Sequence, residues 1–169
     1  DSVKPNCPHI VVENPRYIFG KIIDKFFYIK WLPEDISKDA IINKNAFIGK
    51  DVSIGRNVTI DTGVIIKERT KICEGTIIGP NVKIGKDCVI KSNSVIGQPG
   101  FGTDKGPDGR NYYLPHIGSV IIGDRVWIGA LNSIASGTID PTIIEDDVMT
   151  DDQVHIAHNV IVKSNTIIA

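Results

Sequence analysis

The stretch Ile60-Asp-Thr-Gly-Val-Ile-Ile66-Lys-Glu-Arg-Thr-Lys-Ile72-Cys-Glu-Gly-Thr-Ile-Ile78-Gly-Pro-Asn-Val-Lys-Ile84-Gly-Lys-Asp-Cys-Val-Ile90-Lys-Ser-Asn-Ser-Val-Ile96 places an isoleucine at every sixth position. The series reaches back through Ile54, Ile48 and Ile42 to Ile36. It resumes at Ile122, Ile128 and Ile134, and again at Ile144, Thr150, Ile156, Val162 and Ile168. Two residues before most of these positions stands something small or β-branched, such as Val58, Val64, Thr70, Thr76, Val82, Cys88 or Ser94. Residues two apart on a strand share a face, so both positions point inward. Gly49, Gly55, Gly79, Gly85, Gly97, Gly123 and Gly129 follow key isoleucines, where the chain is expected to bend. A period of six is too short for a helix pair or a hairpin unit. It fits short strands separated by corners and stacked as coils of a parallel β-helix. Composition agrees: the chain holds 31 Ile and 15 Val against 3 Leu, a balance that suits pleated surfaces better than helices.

The remaining composition excludes several classes. Nineteen Lys and Arg against 20 Asp and Glu leave a formal net charge of −1, which argues against a nucleic-acid sleeve or a polybasic membrane patch. No apolar run approaches the roughly 18 residues that a membrane span needs. The start, Asp1-Ser-Val-Lys-Pro-Asn, has no secretory-signal order and no initiator Met, so the sequence reads as a partial chain. Cys7, Cys73 and Cys88 have no metal-like spacing and read as reduced thiols of a cytoplasmic protein.

The pattern [Ile/Val]-Gly-x-x-Val-x over residues 36–97 and 117–169 resembles the hexapeptide-repeat family. That resemblance implies an all-β fold, a left-handed parallel β-helix of triangular cross-section, with three hexads per coil and residues 18 apart in register. About six coils are expected. The left hand comes from the family, because the general crossover rule favours the opposite. The residue before each key isoleucine then points outward, and Ile41, Thr59, Ile77 and Val95 form an apolar outward edge. Exposed apolar stripes mark contact surfaces. Since hexapeptide-repeat enzymes are typically trimers, this edge is the expected contact of a homotrimer.

Residues 1–35 do not repeat and read as the remnant of an N-terminal domain with a connecting helix; 36–169 read as the β-helix, with a loop inserted at 98–116. Ile10-Val-Val predicts a short strand. Asn14 is a helix N-cap with Pro15 at the first helical position. Ile18, Phe19, Ile22, Ile23, Phe26 and Phe27 predict an amphipathic helix ending near Trp31-Leu32-Pro33. Val-Val-Glu-Asn-Pro-Arg-x-x-Phe (11–19) is similar to the close of the N-terminal domain in UDP-3-O-acylglucosamine N-acyltransferases. The loop 98–116 carries four glycines and three prolines and predicts a protrusion. Its Gly100-Phe101-Gly102 and the following Ile117-Gly-x-Val-Ile-Ile-Gly-Asp-Arg-Val-x-Ile-Gly129-Ala130 resemble the same family, where such a loop overhangs the acceptor and the acyl groove. These three residues are therefore expected to contact substrate.

Thr150-Asp151-Asp152-Gln153-Val154-His155-Ile156-Ala157-His158-Asn159 is the densest polar run of the repeat. Read alone, its histidines are two solvated side chains at a coil edge. The run resembles the active-site segment of the N-acyltransferases, and His-Ile-Ala-His that of the related UDP-N-acetylglucosamine O-acyltransferases. The resemblance implies His158 as catalytic histidine, Asp151 as its assisting carboxylate, and His155 and Asn159 as substrate contacts; Thr150 and Asp152 depart from the family pattern. A neutral imidazole can take the proton that an amine loses on attacking a thioester. A carboxylate behind it would fix the tautomer. Oxyanion donors would come from backbone N–H groups of a neighbouring coil. Trp127 and Tyr112-Tyr113 read either as stacking groups for a base or acyl chain or as packing, and His9 and His116 as isolated histidines.

The expectation is an N-acyltransferase moving an acyl group from acyl carrier protein or coenzyme A to a nucleotide-linked amino sugar, as in lipid A or surface-glycan synthesis. No cofactor, metal or nucleic acid is expected. Two alternatives remain: a zinc-dependent hexapeptide enzyme similar to γ-type carbonic anhydrases, although the His155–His158 spacing is short for that class, and a non-catalytic β-helix scaffold.

Overall fold

In the computed structural model, which describes residues 7–27 and 31–169, the isoleucine series becomes three parallel ladders. Each ladder belongs to a six-stranded sheet, and successive strands of the chain go to successive sheets. On the first face Ile42 pairs with Ile60, Ile60 with Ile78, Ile78 with Ile96, Ile96 with Ile134, and Ile134 with Ile156. The second face aligns Ile48, Ile66, Ile84, Ile122, Ile144 and Val162. The third carries Ile54, Ile72, Ile90 and Ile128, and a lone bridge from Ile36 to Ile54 adds a further level. The eighteen-residue stacking expected from three hexads per coil is therefore the observed register through Ile96 and again from Ile143 onward, where no insertion lengthens the coil.

Ile54, Ile60, Ile66, Ile72, Ile78, Ile84, Ile90 and Ile96 are all at most 1% exposed. Burying one such side chain contributes roughly 1.5–3 kcal/mol. Ile36, at the end of its ladder, is 48% exposed. Cys73 and Cys88 are free and buried, and desolvation pushes both thiols up to about 11.

Gly97 takes φ 83°, a left-handed conformation that suits the expected bend, and the other glycines after key isoleucines serve close approach. A Cβ on Gly49 would lie 2.8 Å from the backbone nitrogen of Glu68 in the next coil. The left-handed corner residue comes two positions later and is Asp51, Asn57, Arg69, Asn81, Asp87 or Asn93, with φ between 56° and 59°. One corner column runs Asp51, Arg69, Asp87, Arg125, Asp147 and Asn165. Its opposite charges pair: Arg69 Nε and Nη2 donate to Asp87 at 2.6 and 2.8 Å, and Arg125 does the same to Asp147 at 2.7 and 2.8 Å.

Where Thr150 replaces isoleucine, the core contains a polar pair. Thr150 Oγ1 donates to Asn132 Oδ1 at 3.0 Å and accepts from the Gly129 N–H at 3.1 Å. The Asn132 amide donates to the carbonyls of Ala130 and Asp151. Thr150 and Asn132 are 4% and 1% exposed, and the pairing satisfies groups whose burial would otherwise be costly.

Two insertions interrupt the coils. Residues 98–116 leave from the strand Val95–Pro99 and form a hairpin in which Thr103–Lys105 pairs antiparallel with Asn111–Tyr113. Between Ile134 and Ile144 the chain takes ten residues instead of six, so stacked positions there lie 22 apart, as in Ser133 over His155.

The chain divides into a first unit ending at Trp31 and a second from Leu32 to Ala169. In the first, Asn14 Oδ1 accepts from the Tyr17 N–H at 3.1 Å and caps the helix Pro15–Phe26, as expected. The helix stops at Phe26, before the predicted end near Trp31, and residues 28–30 lie outside the described residues. The strand expected at Ile10-Val-Val is not formed. Three extended residues make a strand only when another strand accepts their hydrogen bonds, and none does so among the described residues. No helix of the described residues is long and apolar enough to cross a membrane.

Candidate active site

The hairpin overhangs the first face at its far end and encloses a groove of about 400 Å³. Gln98, Pro99, Gly100, Phe101 and Tyr113 form one wall; Ser133, Ala135, His155, Ala157 and His158 form the other. The outward column Ile41, Thr59, Ile77, Val95 continues in register through Ser133 to His155, so the apolar stripe leads into this groove.

His155 occupies the strand His155–Ile156 and His158 the corner that follows. Because Ile156 is buried at 4% exposure, its neighbour His155 faces outward. At the corner, Asn159 takes φ 62°, a conformation asparagine tolerates. Its side-chain nitrogen donates to the Asp140 carbonyl at 2.9 Å. Its Oδ1 accepts from the backbone N–H of Thr138 at 3.0 Å and from the Thr138 hydroxyl at 3.1 Å. That orientation leaves Oδ1 as an acceptor facing His158 Nδ1, 3.0 Å away. The proton of neutral His158 therefore sits on Nδ1, and Nε2 keeps its lone pair.

Asp151, expected beside His158, is not among its hydrogen-bond partners. It stands at the preceding corner, where its Oδ1 accepts from the Asp152 N–H at 2.8 Å. The neighbouring Asp152 is paired with Lys91 at 2.5 Å, and that hydrogen bond, with another from the Ala130 N–H, holds its carboxyl below the usual range. The side chain hydrogen-bonded to the His158 ring is that of Asn159, a residue expected at the substrate. Thr138, which fixes Asn159, lies in the four-residue lengthening of the coil and went unread.

Of the loop residues, Gly100 and Phe101 line the groove. A Cβ on Gly100 would lie 2.8 Å from His158 Cδ2 and 3.1 Å from His116 Nε2, so the loop touches the imidazole through the one residue that permits it. Gly102 packs instead on His116 and Leu114. His116 is not isolated: its ring meets that of His158 edge to face, with centroids 4.8 Å apart. Tyr113 joins the wall and its hydroxyl donates to the Gly100 carbonyl at 3.0 Å, whereas Tyr112 and Trp127 lie outside the groove. Among the described residues no three His, Cys, Asp or Glu side chains converge as metal ligands.

The bacterial transferase hexapeptide family (six repeats) matches residues 63–98. The UDP-3-O-acylglucosamine N-acyltransferase of Pseudoalteromonas translucida is 51% identical over 83 residues, covering 49% of this chain and 24% of that protein. The structure of LpxA from Acinetobacter baumannii superposes with a TM-score of 0.69 at 26% identity, over 78% of this chain and 49% of that one. LpxA from Bacteroides fragilis, described as a UDP-N-acetylglucosamine acyltransferase, gives a TM-score of 0.58 at 26% identity, over 73% of this chain and 46% of that one. The chain thus spans about a quarter of the curated relative's length and about half of each structure. Its coils carry the repeat of the bacterial hexapeptide transferases and wind, as the LpxA-type acyltransferases do, into a left-handed parallel β-helix.

Proposed function

We propose that the protein transfers an acyl group from a thioester, carried by acyl carrier protein or coenzyme A, to the amino group of a nucleotide-linked amino sugar, within lipid A or surface-glycan synthesis. The likeness to a UDP-3-O-acylglucosamine N-acyltransferase and to LpxA-type structures supports the reaction class. The single observation that carries the chemistry is the bond between His158 Nδ1 and Asn159 Oδ1, which leaves a basic Nε2 beside an open groove.

In this reading the amine nitrogen attacks the thioester carbonyl and His158 Nε2 takes the amine proton. As the tetrahedral intermediate collapses the C–S bond breaks, and the imidazolium returns that proton to the departing sulfur, which leaves as the thiol. Asn159 holds the imidazole and Thr138 holds Asn159. Gly100, Phe101 and His155 face the bound substrates, and Gly102 seats the loop. No side chain needs to become acylated and no cofactor enters. We place the enzyme in the cytoplasm as a homotrimer, whose contact includes the Ile41–Val95 edge. The test is product analysis: the full-length protein, an acyl thioester and a UDP-amino sugar should yield an N-acylated sugar by mass spectrometry, and the matched sugar with a hydroxyl in place of the amine should yield far less. Equal acylation of both would overturn the assignment to an amine acceptor.

A further inference from the structure

Among the described residues one buried side-chain nitrogen or oxygen lacks a hydrogen-bond partner: His116 Nε2. The other ring nitrogen is fixed, since Nδ1 lies 2.9 Å from the Leu114 carbonyl and must donate to it. In the neutral ring Nε2 is then a bare acceptor. A proton on Nε2 would be a buried donor facing Gly100 Cα, with nothing to accept it, and that is costly. The bare acceptor also lies beside the candidate base. The space next to Gly100 Cα is bounded by His158 Cδ2 and Cβ on one side and by His116 Nε2 on the other, and the two rings meet edge to face at 4.8 Å.

We infer that His116 is a positioning residue for His158, its neutral Nε2 lone pair favouring the imidazolium that forms when His158 takes a proton. This rests on His158 being the base. A lone pair near a developing positive charge stabilises that charge. The other titratable groups lining the groove with His158 are His155, on the strand that precedes it, and Tyr113 on the hairpin. The corner 137–140 contributes the Thr138 hydroxyl, 3.5 Å from Nδ1, and the Asp140 carbonyl that holds Asn159.

The test is a histidine ¹⁵N NMR titration of the full-length protein, which needs no substrate and is independent of the proposed reaction. His116 should show Nδ1–H with a bare Nε2; an Nε2–H tautomer would overturn the inference without any variant being made. In His116→Leu the His158 midpoint should fall by about half a pH unit, a roughly threefold loss of proton affinity, while His116→Gln, which can still present an acceptor, should hold it closer to the parent value. The acid limb of kcat/KM should move with the NMR midpoint. An unchanged or raised His158 midpoint in a folded His116→Leu protein would overturn the inference. A protein that titrates as described but acylates no sugar would overturn the functional reading instead.

Discussion

Asn159 Oδ1 lies 3.0 Å from His158 Nδ1 while the amide nitrogen of the same side chain donates to the Asp140 carbonyl at 2.9 Å. With Thr138 also donating to Oδ1, the amide has one orientation and the imidazole has one neutral tautomer. A group that only positions the ring can thus do part of the work given to a carboxylate in hydrolase triads.

Replacing Asn159 by glycine isolates that role, because glycine adopts φ 62° without strain. Asn159→Gly should lower kcat by about 10- to 100-fold with a small change in KM, since the base spends time in the wrong tautomer. Steady-state kinetics check this, and an unchanged kcat with a raised KM would return Asn159 to the role of a substrate contact.

Gly100→Ala should damage the site more than the fold. The new methyl would press on His158 Cδ2 and Cβ at 2.8 and 2.9 Å and on His116 Nε2 at 3.1 Å. Displacing a reacting group by about 1 Å costs on the order of 100-fold in rate. Activity loss of that size with a melting temperature within a few degrees of the parent is the expected outcome.

The isoleucine spacing made the prism legible, because a side chain that alternates faces at a fixed period leaves few ways to bury it. It also showed where the coils break, since Ile96 and Ile122 cannot belong to consecutive hexads. Ile10, Val11 and Val12 have strand-forming side chains but, among the described residues, no strand beside them, so the expected N-terminal strand does not form. The site was legible only through its resemblance, and then in part. The resemblance singles out His158, Gly100 and Phe101, which the groove brings together, but not the partners of the imidazole. Thr138 sits where the stacking slips from 18 to 22 residues, and His116 is 42 residues from His158, so neither juxtaposition follows from local spacing. Asp151, seven residues before His158, has its Oδ1 bonded to the Asp152 N–H, a corner contact that the run of residues does not announce.

Thr150 gives a test of the core. Thr150→Val removes a donor to Asn132 Oδ1 and an acceptor for the Gly129 N–H, leaving buried polar groups unpaired. The expected loss is about 1–3 kcal/mol in a denaturant titration. Adding Asn132→Val should cost less than the sum of the two single changes, because the two side chains satisfy one another. Strict additivity would contradict the pairing.

Acid should loosen the corner columns. Hydrogen bonds from Arg69, Arg125 and Lys91 hold the carboxyls of Asp87, Asp147 and Asp152 below their ordinary range, and Lys163 does so for Glu145. A lowered carboxylate pKa contributes stability that is fully present above the unfolded value, near about 4, and is lost as pH falls through the folded value. Melting temperature should therefore be insensitive to these groups from pH 7 to 5 and decline below pH 4. Because the pairs are exposed, high salt should shrink the decline. An Arg125→Ala protein should show a shallower acid slope than the parent.

The central claim is that His158 is the base, and paired rate measurements on His158→Ala and His155→Ala in the full-length protein test it most directly. General-base removal costs about 100- to 10,000-fold, so His158→Ala should lose at least 100-fold in kcat. His155→Ala, which takes away only a groove wall, should lose less than about 10-fold in kcat and act mainly on KM. A His158→Ala enzyme with near-parent kcat, or a larger kcat loss from His155→Ala, would contradict the account.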